Sequence, residues 1–328
     1  MIRSRSTGLG AALLAAVTIV AACGGSTGPL GSVPPASHAP DPSVALGSPD
    51  ATPAPSEPSS EPSDAPSGSG DPGSSAGPSA TPSGTTLVRA YFWLGGAPDS
   101  AGLVAVLREI PATKGVATAA VNALLAGPTT GEASRSITSA VPDGSQLLSL
   151  TIDNSVATVN LSAEFESGGG SASVLTRLGQ MVYTLTQFPT IKSVTFQIEG
   201  VTKGVFSSEG VILDKPVTRA DYVDLLPAIW VDRPAFNAAI GNPAHVTGNA
   251  NVFEATFRIA ILDGAGKVLV DQQAMASCGT GCRGTFDVTI PYAVSKAQYG
   301  ILRVYDPSEK DGSPESIRDY RVWLTPKS

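Results

Sequence analysis

The stretch from Gly24 to Gly84 constrains this chain most, because it lacks the residues that a folded core needs. It contains no aromatic residue, no lysine and no arginine, while proline, serine, glycine and alanine recur throughout. A segment with so little apolar surface cannot offset the conformational entropy lost on folding, so we expect it to be disordered. Its acidic residues are scattered: Asp41, Asp50, Glu57, Glu61, Asp64 and Asp71. The sequence therefore predicts a disordered acidic linker over residues 23–85, with folded structure only after it.

Repeated Ser-Pro and Pro-Ser steps stiffen this linker, because proline favours the extended polyproline II conformation. Its reach then lies between that of a flexible coil, about 45 Å, and that of a fully extended rod, about 190 Å. A linker of this kind holds the folded part well away from whatever fixes its N-terminal end.

The N-terminal residues have the features of a bacterial export signal. Arg3 and Arg5 form a charged region, and the apolar run after them is shorter than the roughly 20 residues of a membrane span. The run ends in Val20-Ala21-Ala22-Cys23, which resembles the lipobox of bacterial lipoproteins. The resemblance implies that residues 1–22 are a cleaved signal peptide and that the thiol of Cys23 carries diacylglycerol. The alternative is an ordinary secretory peptide that contains a cysteine, and in either case the mature chain is exported.

Charge and cysteine content narrow the partners and the compartment. The formal net charge is -7, and removal of Arg3 and Arg5 with the signal makes the mature chain more negative still. We therefore do not expect a nucleic-acid partner. Cys278 and Cys282 are a close pair in an oxidising compartment, and no second cysteine pair or nearby histidine completes a zinc set. A disulfide is favoured over a metal hook or a redox pair, and it would chiefly rigidify a short turn.

Residues 86–214 alternate between strand-like and helix-like patterns, which is typical of a small α+β domain. One hairpin is predicted about Asp153-Asn154-Ser155, with Ala157, Val159 and Leu161 on one face of its second strand. The predicted strands cover residues 87–94, 103–110, 146–152, 156–161 and 193–199.

Two helices are predicted in the same region. The first is capped by Thr113 and ends at Gly127-Pro128, with a buried face of Val116, Ala120, Ala123 and Leu124. The second covers about residues 171 to 188, with Ser171 as N-cap. Its apolar stripe consists of Val174, Leu175, Leu178, Met181, Val182 and Leu185. The element order then places two helices against one face of a mixed sheet.

Three motifs occur in a fixed order along this region. They are Leu124-Leu125-Ala126-Gly127-Pro128, then Ala140-Val141-Pro142-Asp143-Gly144-Ser145, then Ala157-Thr158-Val159-Asn160-Leu161-Ser162-Ala163-Glu164-Phe165. Together they resemble the GerM-type (GerMN) sporulation and spore-germination domain, with Asn160 where an aspartate is expected. Members of that family are mostly exported lipoproteins or envelope proteins without established catalysis, and they share a fold with ring-building modules. The resemblance implies an interaction module, with self-association as a further expectation.

After a predicted inter-domain linker at residues 215–227, the pattern changes to short strands separated by turn signals. This spacing is typical of a β-sandwich, predicted here over residues 228–328. Asp263-Gly264-Ala265-Gly266 suits a hairpin turn, because its glycines accept positive φ. The predicted strands cover residues 229–232, 244–249, 252–262, 268–276, 284–290, 300–305 and 317–324.

Motifs in this second region also resemble a known family. They are Val246-Thr247-Gly248-Asn249-Ala250-Asn251-Val252-Phe253-Glu254-Ala255, Gly284-Thr285-Phe286 and Gly300-Ile301-Leu302-Arg303-Val304-Tyr305. They resemble the immunoglobulin-like domain of bacterial spore-germination proteins, which commonly accompanies GerM-type modules. The pair also occurs in non-sporulating bacteria, so the resemblance does not imply that the source organism makes spores.

Several residues could carry chemistry, and each has a simpler structural interpretation. Gly168-Gly169-Gly170 lies where phosphate loops occur, but no Walker lysine follows, so a flexible turn is favoured. Glu164 and Glu166 could form a carboxylate pair, although solvated acids are the simpler interpretation. His245 is the one histidine of the folded part and is favoured as an ordinary polar residue near a strand start.

The aromatic residues could form a ligand platform. For Tyr91, Phe92 and Trp93, alternate burial of an early strand is the favoured interpretation. Trp230 and Trp323 lie at opposite ends of the second domain, and the sequence leaves open whether they meet.

The sequence thus predicts a lipid-anchored protein at the extracytoplasmic face of the cell membrane, with an α+β GerM-type domain and an all-β immunoglobulin-like sandwich. Its function would be recognition, as a protein-interaction or scaffold module with envelope protein partners. No catalytic residue, metal or cofactor is expected. The alternative is an accessory subunit of an envelope enzyme or transporter that binds cell wall or a small ligand. A hydrolase acting on wall polymer is a third, weaker option.

Overall fold

A long antiparallel hairpin opens the computed structural model, which describes residues 84–327. β1 (Thr85–Leu94) pairs along its whole length with β2 (Gly102–Pro111), and the two strands cover the ranges 87–94 and 103–110 that the sequence predicts as strands. The predicted signal peptide, Cys23 and all but the last two residues of the predicted linker lie outside the described residues.

The rest of the first domain forms two further layers around a central helix. Its helices are α1 (Val116–Leu125), α2 (Thr130–Ala133) and α3 (Ser171–Leu185). Its later strands are β3 (Ile137–Thr138), β4 (Leu147–Asp153), β5 (Val156–Leu161), β6 (Ser193–Ile198), β7 (Val201–Thr202), β8 (Val205–Phe206) and β9 (Val211–Ile212). The predicted α+β fold class is confirmed.

The single sheet that we expected is wrong, because the strands divide into separate sheets. One has the order β2-β1-β3 and another the order β4-β5-β6-β7, in which β5 and β6 run parallel; β8 and β9 pair with each other. Helix α3 contacts both β1 and β6. All nine residues from Arg177 to Leu185 are buried, polar ones included, so this half of α3 fills a space between layers. A helix on one sheet face would bury a single stripe.

Local details of the helices differ from the prediction. Gly115 and Gly170 occupy the N-cap positions that we assigned to Thr113 and Ser171, and the Ser171 hydroxyl instead donates to Glu209 at 2.6 Å. Leu175, predicted in the buried stripe of α3, is exposed. In α1 the buried residues are Ala117, Ala120, Val121 and Leu124. These follow the i, i+3, i+4, i+7 spacing of one helix face, rotated from the face we predicted.

The β4–β5 hairpin confirms its prediction. Asn154 and Ser155 connect the strands with φ values of 47° and 66°, which a two-residue turn of this kind requires at both central positions. Ala157, Val159 and Leu161 are buried on one face of β5, as predicted.

The second domain is the predicted sandwich of two sheets. Its strands are β10 (Ile229–Arg233), β11 (Ala239–Ile240), β12 (Ala244–Ala250), β13 (Thr256–Leu262), β14 (Val268–Met275), β15 (Gly284–Ile290), β16 (Gln298–Pro307) and β17 (Pro314–Leu324). The sheet orders are β10-β12-β15 and β11-β17-β16-β13-β14. One predicted strand begins late, at Thr256, because Phe253–Ala255 forms a 3-10 turn in which Glu254 and Ala255 have positive φ.

The two domains share one continuous apolar core. Buried side chains from Ala90 in β1 to Leu324 in β17 belong to the same cluster, and residues 84–327 lie in one compact unit. The segment predicted as an inter-domain linker, residues 215–227, contains the 3-10 segment Arg219–Leu225, which packs on α3 and buries Tyr222. The two domains are therefore held in a fixed arrangement.

Candidate functional site at the junction between the two domains

The middle of β1 is buried on both of its faces. Ala90, Tyr91 and Phe92 are consecutive, and all three are fully inaccessible. The expected alternate burial holds for Phe92 and the partly exposed Trp93 but fails at Tyr91, which is buried as well. Helices α1 and α3 pack on β1, while β10 of the second domain contacts its neighbour β2. A strand that is covered on both faces has consecutive buried residues in its sequence.

Trp230 of β10 is the aromatic centre of the junction. Its indole Nε1 donates to the Leu103 carbonyl at 3.0 Å, and its ring centroid lies 5.6 Å from Tyr183 and 6.5 Å from Tyr91. Trp323 lies elsewhere, 36% exposed and packed edge-on against Tyr299. The two tryptophans therefore do not meet, and only Trp230 joins the domains.

A charged network surrounds the Tyr91 hydroxyl. Tyr91 donates to Asp232 at 3.0 Å, and Arg89 forms a salt bridge with the same carboxylate at 3.1 Å. The guanidinium of Arg219 lies over the Tyr91 and Tyr183 rings, at 5.5 and 4.6 Å from their centroids. One polar cluster beside the core thus brings together residues of β1, of α3, of the 3-10 segment Arg219–Leu225 and of β10.

Alkaline pH is expected to weaken this junction. Burial, reinforced by the charge of Asp232, raises the pKa of Tyr91 to about 12, and burial raises the pKa of Tyr183 to about 12. Both values exceed that of an unfolded tyrosine, about 10. The folded state then binds more protons between these values. The contribution of these two tyrosines to the free energy of unfolding is therefore constant below the lower value and falls as pH rises through the window. Denaturant unfolding measured at stepwise increasing pH checks this.

A Tyr91→Phe variant is the control for that titration. It lacks the Asp232 hydrogen bond at neutral pH, so it should begin less stable but lose less stability across the alkaline window. Equal alkaline slopes in the wild type and the variant would contradict a role for Tyr91.

Backbone hydrogen bonds also cross the junction. The amide of Leu107 donates to the Phe236 carbonyl at 3.0 Å, and the Phe236 amide donates to Ala105 at 2.8 Å. The Ala228 amide donates to Asp99 at 2.8 Å. The edge of β2 is thus paired with the chain just after β10.

Arg318 of β17 inserts a buried cation into the junction. It is 2% exposed and donates to the carbonyls of Ser100, Gly102 and Leu103 and to the Tyr320 hydroxyl. Its distances to the Leu103 carbonyl and to the Tyr320 hydroxyl are both 2.8 Å. Within residues 84–327 it forms no salt bridge, so carbonyl oxygens of the β1–β2 connection and of β2 meet its charge.

The acidic and glycine-rich motifs of the first domain have structural contacts. Glu166 forms a salt bridge with Lys203 at 2.8 Å and accepts from the Ser207 amide. Although burial opposes ionisation, these two donors hold the pKa of Glu166 below its usual value. Glu164, in the same 3-10 turn, is exposed. The Glu166 carboxylate is therefore held by a salt bridge and a backbone hydrogen bond.

The Gly168-Gly169-Gly170 turn is tied to Arg177 of α3. This arginine is 1% exposed and donates to the carbonyls of Phe165, Ser167 and Gly168 at 2.6 to 2.9 Å. The chain before α3 therefore wraps around a buried guanidinium. His245, in β12, is exposed and pairs with Asp287.

The structure joins Cys278 and Cys282 through their sulfur atoms, with the two Cα atoms 6.0 Å apart. The loop between them is fixed to the chain before β13, because the amide of Thr280 donates to Val252 and that of Gly281 to Asn251. The pairing stays a prediction, and a free-thiol assay of the purified protein tests it.

Two further observations concern metals and membranes. Among residues 84–327, no three His, Cys, Asp or Glu side chains converge where a metal ion could be held. The helices in this part of the chain lack the length and apolar composition that crossing a membrane requires.

Comparison with known proteins gives two family matches and several solved structures. No curated protein matches the chain. The first GerMN domain of the sporulation protein GerM from Bacillus subtilis is 20% identical, covers 42% of this chain and 99% of its own, and has a TM-score of 0.35. The tandem GerMN domains of GerM are 14% identical over 63% of this chain and 62% of theirs, with a TM-score of 0.36. A putative lipoprotein from Clostridium perfringens is 20% identical over 43% of this chain and 93% of its own length, with a TM-score of 0.31.

The family matches coincide with the two domains described above. The family described as sporulation and spore germination matches residues 89–204, from β1 to the loop before β8. The family described as the immunoglobulin-like domain of bacterial spore germination matches residues 228–313, from the start of β10 almost to β17. The chain therefore carries a GerM-type sporulation and spore-germination domain followed by the immunoglobulin-like domain of bacterial spore germination.

Proposed function

We infer that the protein is a non-catalytic, lipid-anchored envelope protein that presents its two germination-type domains to a protein partner outside the cell membrane. The observation that carries this proposal is the continuous core from β1 to β17, which packs the two domains against each other in one compact unit. A partner that contacts both domains then meets a preformed surface, so binding loses little entropy in ordering the domains.

Anchoring through Cys23 would place this unit near the membrane. The charged n-region, the short apolar run and the small residues before Cys23 support cleavage and lipid attachment. The proline-rich linker would let the domains search a zone of about 45 to about 190 Å from the anchor.

A Cys23→Ala variant tests the anchor. We expect it to lose lipid labelling and to leave the membrane fraction almost completely, because the lipid is the proposed membrane attachment. Its unfolding transition should stay unchanged, since the substitution alters none of residues 84–327, which contain the two domains. Fractionation, metabolic labelling with a fatty acid and thermal melts measure the three properties. Unchanged membrane association of the variant, together with an unlabelled wild type, would contradict the proposal.

Cross-linking in intact cells tests the partner. Lysines occur in both domains and give cross-linking positions across the compact unit: Lys114, Lys192, Lys203, Lys215, Lys267, Lys296, Lys310 and Lys327. We expect mass spectrometry to find an envelope protein linked to lysines of both domains. Recovery of glycan alone, or turnover of wall fragments by the purified chain, would favour the accessory subunit or the hydrolase instead.

A further inference from the structure

A cleft of about 310 Å³ lies at the junction, where the first domain meets β16 and β17. Its lining combines apolar and cationic side chains, among them Leu94, Phe236, Arg135, Arg318 and Arg321. This volume is at the lower end of small-molecule sites, which begin at about 300 Å³. The cleft therefore has room for a ligand of a few non-hydrogen atoms beside its charged group.

The cleft is cationic although the chain as a whole is acidic. Three arginines line it against one carboxylate, that of Asp319. That carboxylate is already bound by Arg303, which donates to its two oxygens at 2.7 and 2.8 Å. Within residues 84–327, Arg135, Arg318 and Arg321 form no salt bridge. On a chain with a formal net charge of -7, this is a local excess of positive charge.

Two of these guanidinium groups are fixed in position before any ligand arrives. Arg318 is held by backbone carbonyls of residues 100 to 103. Arg321 donates to Asn237 at 2.8 Å and stacks over the Tyr299 ring at 3.3 Å. Asn237 in turn donates to Glu132, which is bound by Arg108 through two 2.7 Å hydrogen bonds. Because Arg321 is already held in place, its side chain loses little conformational entropy when a ligand binds.

We propose that this cleft binds a carboxylate attached to a small apolar group. Guanidinium groups match the planar geometry of a carboxylate and can bind it through two parallel hydrogen bonds. Ile317, which is 41% exposed, and the partly buried Ile301 offer apolar surface beside the arginines, which a ligand with an apolar body would cover. A bare inorganic anion would leave that surface unused. The inference goes beyond the proposed function, since it requires neither a lipid anchor nor a protein partner.

Titration calorimetry of the purified full-length chain tests the proposal with a matched pair of probes. N-acetyl-L-valine carries a free carboxylate, and N-acetyl-L-valinamide has the same apolar body without the charge. We expect the acid to bind at least about tenfold more tightly than the amide, because charge-assisted hydrogen bonds are the stronger ones. Equal affinity for the two probes, no binding of the acid, or tighter binding of inorganic phosphate would each overturn the proposal.

Variants locate the binding in the cleft. Arg135 is exposed, so Arg135→Gln should fold normally and weaken binding of the acid about threefold. Arg321→Gln should weaken it about tenfold. Lys296→Gln removes an exposed charge that does not line the cleft, and it should leave affinity unchanged. Wild-type affinity in both arginine variants, or an equal loss in Lys296→Gln, would place the binding elsewhere and reject the cleft.

A heptapeptide that ends in valine distinguishes the two sources of such a carboxylate. Tighter binding of the peptide than of N-acetyl-L-valine would identify the ligand as a chain terminus, and equal affinity would identify a free small acid. Both outcomes support the proposal. Neither depends on membrane fractionation, so its failure and that of the proposed function are separable.

Discussion

Replacing Arg318 with methionine is expected to lower the free energy of unfolding by about 4 kcal/mol. Methionine fills a similar volume and removes a buried charge, which by itself would favour folding. The carbonyls of Ser100 and Gly102 would nevertheless lose the donor that Arg318 supplies, while the Leu103 carbonyl would keep the Trp230 indole N–H. Each buried acceptor left without a hydrogen bond costs about 1 to 3 kcal/mol. This cost should outweigh the gain from removing the buried charge, so the variant should be less stable.

Two matched variants make this prediction specific. Arg318→Lys keeps the charge but concentrates its donors on one nitrogen, which cannot reach all of the oxygens that Arg318 binds, so about half of the loss should remain. Arg303→Met removes a more exposed arginine from the neighbouring strand β16 and should cost no more than about 1 kcal/mol. Urea unfolding measures all three. A loss below about 1 kcal/mol in Arg318→Met would show that the junction tolerates unpaired carbonyls.

Much of the local structure could be predicted because it depends on neighbouring residues. The period-two pattern of β5 and the glycine-rich turn after Asp263 need no distant partner to be recognised. Errors arose where a distant element decides the outcome. Tyr91 and Phe92 are both buried because helices and the second domain enclose the β1–β2 hairpin. The residue pattern within β1 does not indicate that the second domain packs there.

The junction residues were missed for different reasons. The spacing within β17 does contain a signal for Arg318, since it shares a face with Tyr320, Val322 and Leu324, all fully buried. A charged residue in register with buried apolar ones predicts a buried, hydrogen-bonded cation. The cleft arginines carry no comparable signal, because Arg135 and Arg321 are far apart in sequence and meet only through the arrangement of the domains.

Replacing Trp230 with alanine is expected to cost about 4 kcal/mol and to uncouple the two domains. The substitution leaves a cavity beside the Tyr91 and Tyr183 rings and removes the hydrogen bond from the indole to the Leu103 carbonyl. Because the wild-type core is continuous, the wild type should unfold in one transition, and the variant should show two. Differential scanning calorimetry separates these cases.

Two further tryptophan variants divide this effect into its parts. Trp230→Phe keeps an aromatic ring but lacks the indole N–H. The Leu103 carbonyl keeps Arg318 as a donor, so the loss of one hydrogen bond and of ring volume should cost about 1 to 2 kcal/mol and preserve the single transition. Trp323→Ala removes a tryptophan of the same domain from the exposed face of β17 and should cost less than about 1 kcal/mol. If Trp230→Ala still unfolds in one transition, backbone pairing and Arg318 alone suffice to couple the domains. If Trp323→Ala is equally damaging, the junction around Trp230 is not what joins them.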